Sequence, residues 1–284
     1  MEENELTTRE KLKTYFETGK YPTQSQFAEF IDSLKFKEDV LTNKEVAIIA
    51  NSLATIDNGY ISYFVSGIGD QKFSVVVNSK DEDDQIITMG NTNSQQKRYF
   101  FGNAPYTIKG KDFPTEGLVG TEYYSLSYQT NYRYSISRLF GNNLPTIPDG
   151  FEFGMLEGDW LNLSISKLNF EQQLNIINTK IKFVNKTGVT IKYRVQSALW
   201  GDISRSEDTV TNHYDMSDDL SFFFNSDLRG VNQSIECKVF DEDNGSLLIT
   251  GNLNAGENNE NVWGGQIVGV RNVRIECNYS ENVD

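Results

Sequence analysis

Three stretches between residues 124 and 166 alternate apolar and polar side chains, and little but sheet satisfies that pattern. Tyr124, Leu126 and Tyr128 are spaced by Ser125 and Ser127; Tyr132, Tyr134 and Ile136 by Arg133 and Ser135; Leu161, Leu163 and Ile165 by Asn162 and Ser164. A period of two puts an apolar, aromatic-rich face on one side of each strand and a polar face on the other. The apolar face must be covered by a second layer, so a packed β architecture is expected. Such tyrosines fill a core or a subunit interface, or they stand exposed and stack on sugar rings. Tyr124, Tyr128 and Tyr132 are therefore candidate glycan contacts. Trp200 in ALWGD and Trp263 in NVWGG join them, because both fall in loop-like settings.

The same reading extends along the chain. Val46–Ala50 is a short apolar run, Asp57-Asn58-Gly59 reads as a turn, and Phe73–Val77 and Gln85–Met89 read as strands around a solvated acidic tip, Lys80–Asp84. The polar segment Leu168–Asn178 interrupts the pattern and marks a boundary. Beyond it come about seven short runs: Ile181–Val184, Gly188–Val195, Leu220–Phe224, Ser234–Phe240, Ser246–Leu253, Gln266–Val270 and Val273–Tyr279. Short strands at this spacing predict an antiparallel β-sandwich. The expected organisation is mainly β: a helical hairpin over 1–40, a β-rich middle domain over 41–178 and a C-terminal sandwich over 179–284. No repeat of 20–50 residues is apparent.

The hairpin is the one strongly helical stretch, Thr7–Leu34. Thr7 with Glu10, and Thr23 with Gln26, have capping-box spacing, with Gly19 as a stop between them and Pro22 just before the second start. The first helix presents Leu12, Tyr15 and Phe16; the second presents Phe27, Phe30, Ile31 and Leu34, the i, i+3, i+4, i+7 pattern. Helices this short cannot bury their apolar faces alone, so these seven residues are candidate docking positions.

Composition removes several functions. The formal charge of −14 supplies no basic stripe for nucleic acid. No apolar stretch is long enough for a membrane-spanning helix, and MEENELTTRE has no secretory character. His213 is the single histidine, which leaves no Ser/His/Asp or Cys/His triad and no histidine metal cluster; in the polar segment Thr209–Asp219 it is expected at the surface. Cys237 and Cys277 share an Ile-Glu-Cys context, are expected on similar strands, and read as buried free thiols. Asp241–Ser246 lacks the closing glutamate of an EF-hand, since Asn252 stands there, and Asn244-Gly245 reads as a hairpin turn. No cofactor or metal is implied. Paired carboxylates, such as Asp218 and Asp219 beside Phe222–Phe224, leave a polysaccharide depolymerase as an alternative.

Phe16, Thr18, Gly19, Pro22, Thr23, Gln26, Phe27, Ile31, Asp32 and Ser33 spell F-x-T-G-x-x-P-T-x-x-Q-F-x-x-x-I-D-S. This segment resembles the N-terminal segment of structural proteins from phages, and phage-like tail assemblies, of Bacteroidetes bacteria, including crAss-like phages. The resemblance covers Thr7–Asp39 alone. It implies a virion component assembled in the host cytoplasm, a head or tail fibre or spike that is often trimeric. Its partners would be itself, other virion proteins and a host-surface glycan. A glycan-binding protein of the bacterium itself is a further alternative, against which the absence of a secretory segment weighs.

Overall fold

The structure, a computed structural model, describes residues 9–53, 59–80, 82–91, 96–102, 105–130, 134–145, 151–156 and 160–281. It divides into two units, Met1–Glu45 and Val46–Asp284. Two short helices, α1 (Arg9–Thr14) and α2 (Gln24–Asp32), lie in the first. A third, α3 (Asn43–Leu53), runs across the boundary and takes in the apolar run Val46–Ala50, which the sequence reading places at the start of the β-rich middle domain. Its start has a local cause. Thr42 Oγ1 accepts from the Glu45 N–H at 3.3 Å, and Glu45 Oε2 accepts from the Thr42 N–H at 2.7 Å, a capping box that the sequence reading does not mark. The Thr42 N–H, then its hydroxyl, then Lys35 hold the Glu45 carboxyl down at about 2.

The second unit is almost all sheet. Among the described residues nine strands make a first sandwich: β1 (Tyr60–Ser66), β2 (Phe73–Ser79), β3 (Glu82–Met89), β4 (Gln96–Tyr99), β5 (Tyr106–Asp112), β6 (Glu122–Thr130), β7 (Tyr134–Phe140), β8 (Phe151–Leu156) and β9 (Trp160–Asn169). Nine more make a second: β10 (Ile176–Asn185), β11 (Lys192–Ser197), β12 (Trp200–Gly201), β13 (Thr209–Tyr214), β14 (Asp219–Asp227), β15 (Ile235–Asp241), β16 (Leu247–Leu253), β17 (Asn258–Val268) and β18 (Asn272–Tyr279). The first packs a sheet of order β4-β1-β9-β6-β7 on one of order β3-β2-β5-β8. The second packs β13-β10-β18-β15-β16 on β12-β11-β14-β17. Subtracting nine from each label of the second gives the order of the first in both sheets. The chain therefore contains one topology twice, a repeat too long and too divergent to be apparent in the sequence.

Each sandwich is antiparallel except at one place. Its first strand pairs in parallel with its last: Tyr60–Ser66 on Trp160–Ser166, and Lys180–Asn185 on Asn272–Cys277. A parallel pair needs a long crossover, here the rest of the sandwich. It also sends the chain out at the end opposite its entry, so successive sandwiches join end to end.

The alternation predicted from sequence governs the cores. Ile61, Tyr63, Val65, Phe73, Val75, Tyr124, Leu126, Tyr128 and Ile165 are buried in the first; Tyr193, Val195, Phe222, Phe224, Val239 and Ile275 are buried in the second. Cys237 and Cys277 are register partners, fully buried and free, with sulfurs 3.2 Å apart. Their mutual hydrogen bond and burial push the Cys237 thiol far up, so both pack as small apolar groups. The acidic tip expected at Lys80–Asp84 is shorter than the sequence suggests, because Glu82, Asp83 and Asp84 already belong to β3. Two strands in the polar middle of the second sandwich, β12 and β13, escape a hydrophobic reading. One has two residues, and the inward positions of the other are Thr211 and His213.

The two sandwiches share a joint. Tyr123 and Leu139 of the first belong to the same buried cluster as Leu174, Trp200 and Tyr214. The Leu139 N–H donates to the Tyr214 hydroxyl at 2.7 Å, and the Leu174 N–H donates to the Tyr123 hydroxyl at 2.8 Å. Two backbone N–H groups thus find tyrosine hydroxyls as acceptors at the joint.

Candidate functional site

In the helical unit the chain turns at Gly19, whose φ of +85° suits glycine. Thr23 and Gln26 complete the expected capping box at the start of α2; Thr7 lies outside the described residues. Tyr15 departs from expectation. It is buried, and its hydroxyl bonds Glu29, which also receives Lys11 at 2.6 Å. Tyr15 therefore holds the two helices together instead of presenting a docking surface. Phe16 meets Phe30 edge to face at 5.2 Å. Leu12, Phe30 and Ile31 are half-buried, whereas Phe16, Phe27 and Leu34 are 49%, 53% and 44% exposed. Leu12, Phe16, Phe30 and Leu34, with Arg9, Lys13 and Ser33, line an open groove of about 750 Å³.

The aromatic candidates of the body separate into core and surface. Tyr124 and Tyr128 are buried in the first core, Tyr124 against Phe73 at 5.0 Å, so they are not surface contacts. Tyr132 lies outside the described residues. Trp200 sits in β12 instead of a loop, is 1% exposed in the joint, and carries the Arg138 guanidinium 4.7 Å above its ring. It fails as a glycan contact because the joint covers it.

Trp263 is 63% exposed, on β17. It is in register with Phe223, and Phe223 with Arg194, giving one row across the outer face of the four-stranded sheet. The Arg194 guanidinium lies 4.2 Å from the Phe223 ring centre and donates to Gln196 Oε1 at 2.9 Å and Asn261 Oδ1 at 2.8 Å. Asn261 has a φ of +53°, and its N–H donates to Asn225 Oδ1 at 2.6 Å. A bonded network thus fixes the irregular strand beside an exposed tryptophan. Arg194, Phe223 and Asn261 were not apparent in the sequence, since only sheet register brings them to Trp263.

His213 is fully buried on β13, not at the surface, and neither ring nitrogen makes a hydrogen bond. Asp218 Oδ1, its nearest carboxylate oxygen, is 3.9 Å from Nε2 and is tied to Arg271. Burial first, then the Arg271 charge, push the imidazole below its ordinary range, against the opposing pull of Asp218 and Asp219. The Asp241–Ser246 segment is the expected hairpin turn, with Gly245 at φ +76° and Asn244 Nδ2 donating to Asp241 at 2.7 Å. Among the described residues no cluster of three or more His, Cys, Asp or Glu is arranged to hold a metal, and no helix is long and apolar enough to cross a membrane.

The outer faces of the two five-stranded sheets differ in kind. In the first sandwich three register rows cross β1, β9 and β6: Ser62–Asn162–Gln129, Phe64–Ser164–Ser127 and Ser66–Ser166–Ser125. None of these nine residues carries a charge, and Lys97 on β4 continues the first row beside Ser62. The first two rows line an open groove of about 430 Å³ whose floor includes Tyr128 and Leu163. The equivalent strands of the second sandwich carry Lys182–Arg274–Phe240 and Val184–Glu276–Lys238. Ion pairs link them: Lys186 to Glu276 at 2.7 Å, Lys238 to Glu236 at 2.6 Å, and Arg274 to both Glu242 and Glu276.

No family model and no curated protein matches the chain. Among solved structures it is similar to the major pilin from Streptococcus pyogenes, at 9% identity over 79% of this chain and 99% of that one, with a TM-score of 0.17. At that TM-score the likeness carries no argument.

Proposed function

We propose that the chain is a virion structural component of the head- or tail-fibre class, anchored by its helical unit and displaying two serial sandwiches to partner proteins or a host-surface glycan. The observation that carries this reading is the helical unit. It holds itself together through Tyr15, Glu29 and Lys11, yet leaves Phe16, Phe27 and Leu34 in solvent. An apolar face left open on a unit distinct from the body suits attachment to a neighbour. The resemblance of Thr7–Asp39 to phage structural proteins supports the same reading, and so does a topology that joins sandwiches end to end. Trp263 supplies the surface aromatic for a second contact.

The test is deletion of residues 1–40, with the body monitored by circular dichroism and assembly by light scattering and incorporation into particles. The full chain is expected as a homo-oligomer, a trimer of three 32.3-kDa copies. The deletion is expected to keep the β signal and lose incorporation. A strictly monomeric full chain that also fails to enter particles, or a deletion that unfolds the body, overturns the proposal.

A further inference from the structure

We infer that the charge-free groove on the outer face of β1, β9 and β6 binds a neutral sugar chain. The inference takes its biological meaning from the attachment reading above, but its site and its test are separate.

The groove's chemistry points to a hydroxyl-rich ligand. Ser164 offers a hydroxyl, as does Ser127, whose oxygen also accepts from the Ser137 hydroxyl at 3.1 Å, and Asn162 and Gln129 offer amides; such groups donate and accept, which is what a chain of sugar hydroxyls requires. Phe64 stands 44% exposed among them, a flat apolar ring at the position where the C–H face of a pyranose would stack. At about 430 Å³ the groove lies within the roughly 300–1,000 Å³ usual for small-molecule sites.

Charge narrows the occupant. The chain carries −14 overall, and nucleic acid or an anionic polymer would need several cations, whereas Lys97, its ammonium 4.3 Å from the Tyr60 ring centre, is the one cation among the described residues in register with these rows. A second copy of the chain is disfavoured by composition, because interface cores are depleted in serine and enriched in Trp, Tyr, Phe, Met and Arg. Those residues stand elsewhere, around Trp263 and Arg194.

The second sandwich acts as an internal control. Its strands occupy the same topological places and fold with Lys182, Arg274, Glu276 and Lys238 facing outward, so the fold does not demand a charge-free face. The serine and amide rows of the first sandwich call for a cause other than folding, and a ligand supplies one.

The test is calorimetric titration of the full chain with maltohexaose, cellohexaose, laminarihexaose, mannohexaose and chitohexaose, with hexagalacturonate as the acidic comparator. At least one neutral chain is expected to bind. Phe64→Ala and Ser164→Lys are each expected to weaken binding about tenfold or more, while Val268→Ala, at an exposed position outside the groove, leaves it unchanged. Both groove positions face outward and are at least partly exposed, and unchanged melting of either variant confirms that the fold survives. Absence of binding to all five neutral chains overturns the inference, as does preference for hexagalacturonate. Binding lost in Trp263→Ala but kept in Phe64→Ala also overturns it while leaving glycan attachment standing. A changed oligomer mass in Ser164→Lys would make the face a contact between copies and overturn it as well. Failure of the 1–40 deletion test affects none of these readouts.

Discussion

The first and second sandwiches thread nine strands in one order, including the parallel pairing of first with last strand, yet their five-stranded sheets turn opposite chemistry outward. Inward, both obey one rule: alternate residues from two sheets fill a core of aliphatic and aromatic side chains. Outward, one carries uncharged serines and amides around Phe64, and the other a lattice of ion pairs around Arg274. Topology is thus held by the inward half of each strand, and the outward half is free to specialise. The inward halves differ as well. The second sandwich buries His213, two free thiols and the hydroxyls of Thr179 and Thr211, where the first buries mostly tyrosine and aliphatic groups.

The largest test of that comparison is whether the two sandwiches behave as separate bodies. Trp200 belongs to the second but closes the joint with Leu139 and Tyr123 of the first. Trp200→Ala should cost about 3–5 kcal/mol, the usual range for removing a buried aromatic. Calorimetry should give one transition for the native body and two for the variant, the second sandwich melting first. Two transitions already in the native protein would make the sandwiches independent. A smaller effect comes from His213, the single histidine. Its folded-state pKa is depressed, so between that value and about 6.5 the unfolded chain binds the extra proton. Stability should be full above about pH 6.5 and fall on acidification by at most about 1.4 kcal/mol per pH unit. Urea midpoints between about pH 5 and 8 should show this slope in the native protein and lose it in His213→Phe. A slope that survives the substitution would assign the effect to carboxylates.

Much of this was legible in the chain, in proportion to how local the signal is. The capping box at Thr23 and the Gly19 stop depend on neighbours within three residues, and they form as read. The alternation at Tyr124–Tyr128 announced a strand, and β6 is one. Thr42–Glu45 is as local a signal as Thr23–Gln26, but the β-branched residues after it suggested extended chain, and the cap prevailed. Exposure was read wrongly at Tyr15, Tyr124, Tyr128, Trp200 and His213, all buried, whereas Trp263 is exposed and the two thiols are buried as read. Whether Trp200 or Trp263 faces solvent depends on which sheet face the joint covers, and His213 is buried because Ile177, its register partner, sits on an inward row. The groove rows are spread over about a hundred residues, and the Trp263 network over about seventy, so only register assembles them.

The smallest effect probes the outward faces themselves. Lys238 is 37% exposed and pairs with Glu236 at 2.6 Å, and its outward row continues to Glu276. Partly exposed pairs of this kind contribute about 0.2–1 kcal/mol. Lys238→Ser should therefore lower the urea midpoint slightly in dilute buffer, and the loss should fade near 1 M salt, where the screening length is about 3 Å. The reverse change in the first sandwich, Ser127→Lys, introduces a charge with no acid in its three register rows, and should move stability by no more than about 0.5 kcal/mol at either salt. The two substitutions exchange the outward chemistry of topologically equivalent strands. If Lys238→Ser is neutral at every salt concentration, the ion-pair lattice adds nothing to the second sandwich. If Ser127→Lys destabilises strongly, the serine face is required for packing, and the case for a ligand in the first sandwich loses its internal control.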